Sequence, residues 1–407
     1  MPDVVFAVPF AMENSMRFLK AVLDLPGVRA GVISQEPVTK IPAELRQRLA
    51  GFARMRDAMD TEQVVDAIRE VARAVGGNVD RVVGILEQAQ VPLAEARERL
   101  GLPGLSAAAA RNFREKALMK DVLRQHGLPC ARHCLATSAA AALDFARALD
   151  GPIVVKPPAG AGAKNTFRVD RAPDLEAYLR SAPPSPASPV LLEEFVRGRE
   201  FSFDSVTLGG RHVFHSVSCY FPTPLEVLQQ PWIQWRVVLP RAIDGPQFAA
   251  IRQAGPRALS ALGVGCGVTH MEWFLRSDGS IAISEVAARP PGAQFMTLMS
   301  YAHGIDFYRA WAELMVHDRF APPPRLYATG AAYLRGQGKG KVLRVHGVEQ
   351  MRRELGPLLV EVRLPEVGQS PSGSYEGDGH VILRHADTRV VEEGLQRVVS
   401  TVRVELG

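Results

Sequence analysis

Short apolar runs alternate with amphipathic stretches over the first hundred residues. The run Val4-Val5-Phe6-Ala7-Val8 predicts a buried strand over 3–9, the pattern at 14–25 a helix, and Val28–Ser34 a second strand. Two helical stretches are predicted at 42–57 and 61–76. The short buried strand Val82–Leu86 follows, and Pro92 opens another helix. Strands alternating with helices argue for a parallel α/β unit. No G-x-G-x-x-G follows the first strand, so a dinucleotide site is not expected there.

Gly101-Leu-Pro-Gly104 interrupts the pattern, and one helix is predicted from Ala107 to His126. Helices at 138–149 and 172–181 lie among short strands, followed by the Pro/Ser-rich loop Ser181–Pro189. Strands dominate 190–220 and 233–240, a helix covers 246–262, and 266–287 reads as a hairpin. A helix near 305–316 ends before Pro322-Pro323-Pro324, and the remainder reads as strands with helices at 347–355 and 389–400.

A length of 407 residues implies two to three domains. With 47% hydrophobic and 22% charged residues, the composition excludes a mainly disordered chain and a disulfide-stapled miniprotein. The net charge of +5 is mild and no long basic block occurs, so no nucleic-acid partner is implied. No apolar run approaches the roughly 18 residues of a membrane span. The N-terminus lacks a basic leader region and reads as a strand, so a cytoplasmic protein without a membrane partner is expected. Cys130, Cys134, Cys219 and Cys266 have no zinc-finger spacing and are expected as reduced thiols. Only eight basic residues are Lys, and four of them fall at 116, 120, 156 and 164.

The hairpin carries the chemistry. Asp278-Gly279 favours a two-residue turn, which places Glu272 directly opposite Glu285 with Cβ atoms about 4.5–5.5 Å apart. Opposed carboxylates repel, and a divalent cation removes the penalty; oxygen-only ligands suit Mg²⁺ or Mn²⁺. The competing reading is two solvated glutamates. Phe274 and Ile283, expected on the same face, argue for cover. His270 shares that face, opposite Ala287, and Arg289 follows as a clamp for phosphate oxygens or a developing anion.

A second element is an apolar strand ending in Lys156, then a turn containing Gly160, Gly162 and Lys164. Its glycines let backbone N–H groups approach phosphates, although the Walker pattern is absent. A third is the apolar strand Val190-Leu191-Leu192 running into Glu193-Glu194-Phe195-Val196 and Glu200. A carboxylate there could accept from a ribose diol, and free backbone groups at 194–196 could read an adenine edge.

Lys116, Lys156 with its Gly-rich loop, E-E-F-V-x-G-x-E, and a Glu-bearing hairpin ending E-V-A-A-R-P-P-G resemble, in order and spacing, the ATP-grasp superfamily over roughly 105–320. The resemblance implies a mixed α/β and α+β fold. It places an N-terminal parallel α/β domain at 1–104, a connecting helix at 105–130 and a lid subdomain at 131–192. A catalytic subdomain at 193–325 and a C-terminal α/β extension at 326–407 complete it. It implies ATP gripped between two subdomains, with Lys116 at the α-phosphate and Lys156 at the α/β-phosphates. Glu193, Glu194, Phe195 and Val196 would line the adenine hinge and Glu200 would bind ribose. Glu272 and Glu285 would hold Mg²⁺, and Arg289 would face the transferred phosphate. Ala287 stands where many members carry Asn, as in the branch resembling the L-amino-acid (dipeptide) ligases, whose motif also reads H-x-E; His270 or water is expected to fill that gap.

The implied activity joins a small carboxylate to an amine, expected to be amino acids, through an acyl phosphate. The Tyr220–Arg236 stretch is a candidate border of the substrate pocket. Two alternatives compete: a biotin-carboxylase-like enzyme using bicarbonate, and a nucleotide-binding module without catalysis. A homodimer is expected only from the general frequency of such assemblies.

Overall fold

The structure, a computed structural model, describes residues 1–149, 151–159, 166–230 and 232–407. The N-terminal unit is a sheet of four parallel strands in the order Gly51–Arg54, Arg29–Ser34, Asp3–Ala7, Arg81–Gly84. Val4, Val5 and Phe6 are fully buried, as expected of a parallel strand covered on both faces. Asp60 caps the helix Thr61–Ala74, accepting from the backbone N–H groups of Glu62 and Gln63. The predicted helix over 42–57 is not formed. Only Ala43–Arg46 is helical, and Gly51–Arg54 is an edge strand. A short apolar stretch does not choose between helix and strand by itself; the backbone of Gly31–Ser34 chooses by pairing with it.

The predicted helix 107–126 is two helices, Ala107–Arg114 and Lys116–Gln125, broken where Glu115 turns extended. The break gives Lys116 the first position of a new helix, and its backbone N–H bonds the Pro158 carbonyl at 3.1 Å. A small antiparallel sheet follows, in the order His133–Ala136, Val190–Glu194, Ile153–Lys156, Phe167–Val169. Helices Ala139–Leu149 and Ala172–Ser181 pack on it.

The larger sheet has eight strands, ordered Ile281–Ala287, Gly267–Leu275, Arg199–Leu208, Arg211–Phe221, Arg236–Leu239, Ala328–Leu334, Gly379–His385, Leu359–Arg363. Phe201, Phe203, Met271, Trp273 and Ile283 pack with helix Ala249–Leu262. Strands after residue 326 continue the same sheet, because Ala328–Leu334 pairs with both Arg236–Leu239 and Gly379–His385. The sequence reading omitted the helix Phe295–His303, whose mostly buried residues lack the polar face of a surface helix. All four cysteines are free, and among the described residues no helix is long and apolar enough to cross a membrane.

The hairpin reaches the expected pairing by an unexpected route. Arg276 N–H donates to Ser280 O at 2.8 Å and Gly279 N–H to Arg276 O at 3.1 Å, so three residues make the bend. Gly279 takes φ 82° there. That shifts the register by one near the turn, where Leu275 opposes Ile281. A bulge at Ser284 shifts it back, so Glu272 does face Glu285 and His270 does face Ala287. Ile283 consequently opposes Trp273 and lies on the other face from Glu272, contrary to expectation.

Candidate active site

Alternate residues of a strand share a face, which aligns Glu200, Ser202 and Asp204. The neighbouring strand sets Glu272 beside Ser202 and His270 beside Asp204, and Glu285 completes the row beyond Glu272. Ser202 Oγ donates to Asp204 Oδ2 at 2.7 Å, while the other Asp204 oxygen meets His270 Nδ1 at 2.5 Å. His270 Nε2 lies 3.6 Å from Glu272 Oε1. Burial alone would lower the imidazole pKa, but Asp204 and Glu272 outweigh it and raise it to about 10. Both ring nitrogens of His270 thus face carboxylates, which favour its charged form. Its Nδ1 is committed to Asp204, which leaves Nε2 for the role expected of it beside Ala287. Glu200 sits well above the carboxylate range, first because it is buried and then because Glu272 lies near.

The cations come from the other side. Lys116 and Lys120 are one turn apart on the helix Lys116–Gln125 and therefore share a face. Lys116 Nζ pairs with Glu285 Oε1 at 2.7 Å. Lys120, wholly buried, lies 2.8 Å from Glu193 Oε1 and donates to the bulged Ser284 carbonyl at 2.6 Å. Lys156, from the end of its strand, reaches Glu193 Oε2 at 2.9 Å. Burial opposes the charge on Glu193, yet the two lysines prevail and bring it down to about 2. Burial lowers Lys120, whereas for Lys156 the pull of Glu193 and Glu285 exceeds the burial penalty and raises it. Glu285 is lowered because Lys116 and Lys156 overcome its burial.

Lys116, Lys156, Glu200, Glu272, Glu285 and His270 thus converge. Glu193 joins them as the internal counter-ion of two lysines rather than as a hinge surface. Glu194 turns aside: its oxygens meet Arg132 Nε and Arg276 Nη2, each at 2.8 Å. The backbone N–H groups of Glu194 and Phe195 already donate to Arg132 and Pro152 carbonyls, so these two are not free to read an adenine. The Phe195 ring lies under the Arg168 guanidinium at 4.2 Å, and Val196 is half-buried. Gly160, Gly162 and Lys164 lie outside the described residues.

Arg289 is seated by Glu87, which follows the last strand of the N-terminal sheet. Its Nε and Nη2 both lie 2.9 Å from Glu87 Oε2, and Arg114 Nη1 meets Glu87 Oε1 at 3.0 Å. Sequence reasoning missed Glu87 and Lys120. Lys120 carried a signal, its four-residue spacing from Lys116. Glu87 comes from a distant part of the chain and had none. Trp235, in the stretch proposed to border the pocket, is buried against Tyr333 and Tyr375 at 4.8 Å each, whereas Trp232 is exposed.

The donor set suits a hard cation. Glu272 and Glu285 supply carboxylate oxygens from facing positions, and among the described residues no group of three or more His, Cys, Asp and Glu could hold a metal. Two carboxylates with phosphate and water oxygens match the habit of Mg²⁺.

Residues 121–303 match the model of the ATP-grasp domain. The chain contains an ATP-grasp domain. Inside the matched ATP-grasp region fall Lys156, Glu193, Glu200, His270, Glu272, Glu285 and Arg289; Lys116 lies just before it, and Glu87 lies outside. The chain is 23% identical over 246 residues to an L-arginine-specific L-amino acid ligase of Bacillus subtilis, covering 59% of each. It is 26% identical over 286 residues to an alanine–anticapsin ligase of Bacillus subtilis strain 168, covering 65% of this chain and 59% of that one. The chain thus spans about three-fifths of the length of these curated relatives. An L-amino acid ligase structure from Bacillus licheniformis superposes with TM-score 0.77 at 20% identity, over 100% of this chain and 99% of that one. That likeness establishes the shared fold.

Proposed function

We propose that this protein is an ATP-dependent carboxylate–amine ligase acting on small substrates, amino acids among them. The observation that carries the reading is the cluster in which Lys116 pairs with Glu285, opposite Glu272, while Lys120 and Lys156 share Glu193, within an ATP-grasp fold. The amino acid ligases among its relatives support the substrate class. A substrate carboxylate attacks the γ-phosphate of ATP, an acyl phosphate forms, and an amine displaces inorganic phosphate to leave an amide and ADP.

The chain's own groups divide this work. Lys116 and Lys156 hold phosphate oxygens, and Arg289, held rigid by Glu87, faces the charge that develops on the moving group. A Mg²⁺ ion held by Glu272 and Glu285 would neutralise charge on the phosphate oxygens when bound. His270, a cation beside Glu272, limits repulsion along the acidic row.

The test is phosphate release from ATP and Mg²⁺ with amino acids offered in pairs, followed by mass spectrometry of the products. A pair-dependent amide with stoichiometric phosphate supports the reading. Phosphate release that needs bicarbonate but no amine overturns it in favour of carboxylation. ATP-induced stabilisation without turnover on any acceptor overturns it in favour of a binding module.

A further inference from the structure

The strand Ile281–Ala287 forms one edge of the eight-stranded sheet, so one side of its backbone has no strand to bond. The segment 116–130 runs along that side instead. Ile283 N–H donates to the Pro129 carbonyl at 2.9 Å, Val286 N–H lies 3.2 Å from Met119 Sδ, and Lys120 Nζ donates to the Ser284 carbonyl at 2.6 Å. Ser284 is the bulged residue. Trp273 pairs with Ile283 and Glu272 with Glu285, which leaves Ser284 unmatched in the ladder.

The bulge decides where Glu285 points. On its turn side Leu275 opposes Ile281, Phe274 opposes Ala282 and Trp273 opposes Ile283. Carried on unbroken, that register would set Ser284 against Glu272 and Glu285 against Met271. Met271 is buried on the other face of the sheet, with Trp273 and Ile283, in the core that includes Ile251, Ala258 and Leu259. A slip of one residue therefore takes the Glu285 carboxylate away from Glu272 and turns it toward an apolar layer.

The bulge has its own cost, because the carbonyl of the extra residue must find a donor outside the ladder. Lys120 is that donor. It is 0% exposed, which shuts water out of the contact, and Glu193 Oε1 balances its charge from 2.8 Å away. A charged donor makes a stronger hydrogen bond than a neutral one. Lys120 also shares a helix with Lys116, which meets Glu285 itself, so one rigid element grips both the bulge and the residue after it.

We propose that Lys120 is a positioning residue for the two metal-ligand glutamates: it holds the bulged Ser284 carbonyl and so keeps Glu285 opposite Glu272. The inference rests on the cation assignment made in the ligase reading and holds whichever substrates are joined. Its expected effect is opposite in sign to that of charge alone. The field of Lys120 reaches Glu285, so removing the ammonium would by charge alone tighten a divalent cation held there. Loss of a group that orients a metal ligand instead weakens the metal about ten- to hundredfold.

Mn²⁺ binding is measured by electron paramagnetic resonance of the free ion, with ADP kept below the protein concentration. The wild-type protein is compared with Lys120→Met, Glu285→Gln and the double variant. The expected result is Mn²⁺ bound about ten- to hundredfold more weakly by Lys120→Met than by the wild type, with no further weakening when Lys120→Met is added to Glu285→Gln. Unchanged or tighter binding by Lys120→Met overturns the proposal, since Lys120 then acts by charge. An equal loss in both backgrounds also overturns it, because Lys120 then acts on the nucleotide or the fold rather than through Glu285. Lys120→Gln, whose amide ends one atom short of the ammonium, runs the same cycle if Lys120→Met does not fold. A wild-type protein that binds no Mn²⁺ overturns the cation assignment and this inference with it. Failure of the ligase reading alone shows separately, as Mn²⁺ binding without amide formation from any pair of substrates.

Discussion

Replacing Glu193 by Gln removes the one negative charge between Lys120 and Lys156 while keeping the volume. Glu193 is 4% exposed, so solvent does little to screen the change. Its carboxyl falls from an ordinary 4.5 to about 2, burial opposing and the two lysines prevailing. At about 1.4 kcal/mol per unit, the charged form contributes on the order of 3 kcal/mol to stability. A carboxyl with a depressed folded pKa stabilises fully above its unfolded value and loses that contribution as pH falls through its folded value. The wild-type advantage over Glu193→Gln is therefore constant from pH 7 down to about 4.5 and narrows toward pH 2. Equilibrium urea unfolding measures it. Adding Lys120→Met to the Glu193→Gln background removes a stranded buried cation, and the double variant should recover at least about 1 kcal/mol. A single-variant cost below about 1 kcal/mol, or a double variant no better than the single, would refute the buried triad as the element that holds the small sheet's lysine in place.

Glu285→Gln should abolish phosphate release and remove the response to Mg²⁺; preserved turnover would sink the cation assignment. His270→Gln leaves Asp204, 1% exposed, without its cation, and should cost about 3 kcal/mol in urea unfolding at pH 7. The His270 contribution is complete below pH 6.5 and disappears as pH rises through about 10, so the variant and wild-type midpoints should approach each other in alkaline buffer. Gly377→Ala forces a Cβ toward the Leu334 carbonyl at a positive φ and should lower stability by about 1–3 kcal/mol, read as a lower Tm.

The parallel N-terminal unit was legible because its strands are buried on both faces and read as unbroken apolar runs. The Glu272–Glu285 pairing was legible for a less secure reason. The three-residue bend and the bulge at Ser284 each move the register by one residue in opposite directions, and only their sum matches the simple hairpin. The bulge is also what turns the Ser284 carbonyl toward Lys120, a role no local pattern encodes. The helix break at Glu115 and the strand Gly51–Arg54 were hidden because partners elsewhere decide them: the Pro158 carbonyl in one case, the neighbouring strand in the other. Glu87 reaches Arg289 from two hundred residues earlier in the chain, where spacing carries no information.

Seating Arg289 on Glu87 ties the first hundred residues physically to the reacting end of the site. A chimera that takes its first hundred residues from another protein would keep the clasp for nucleotide but would have to import an acid at the same spot. Without it, a guanidinium enclosed by protein would lose its acceptor and swing out of register with the reacting group. The leading unit is thus a working part of the site that cannot be exchanged as a neutral handle.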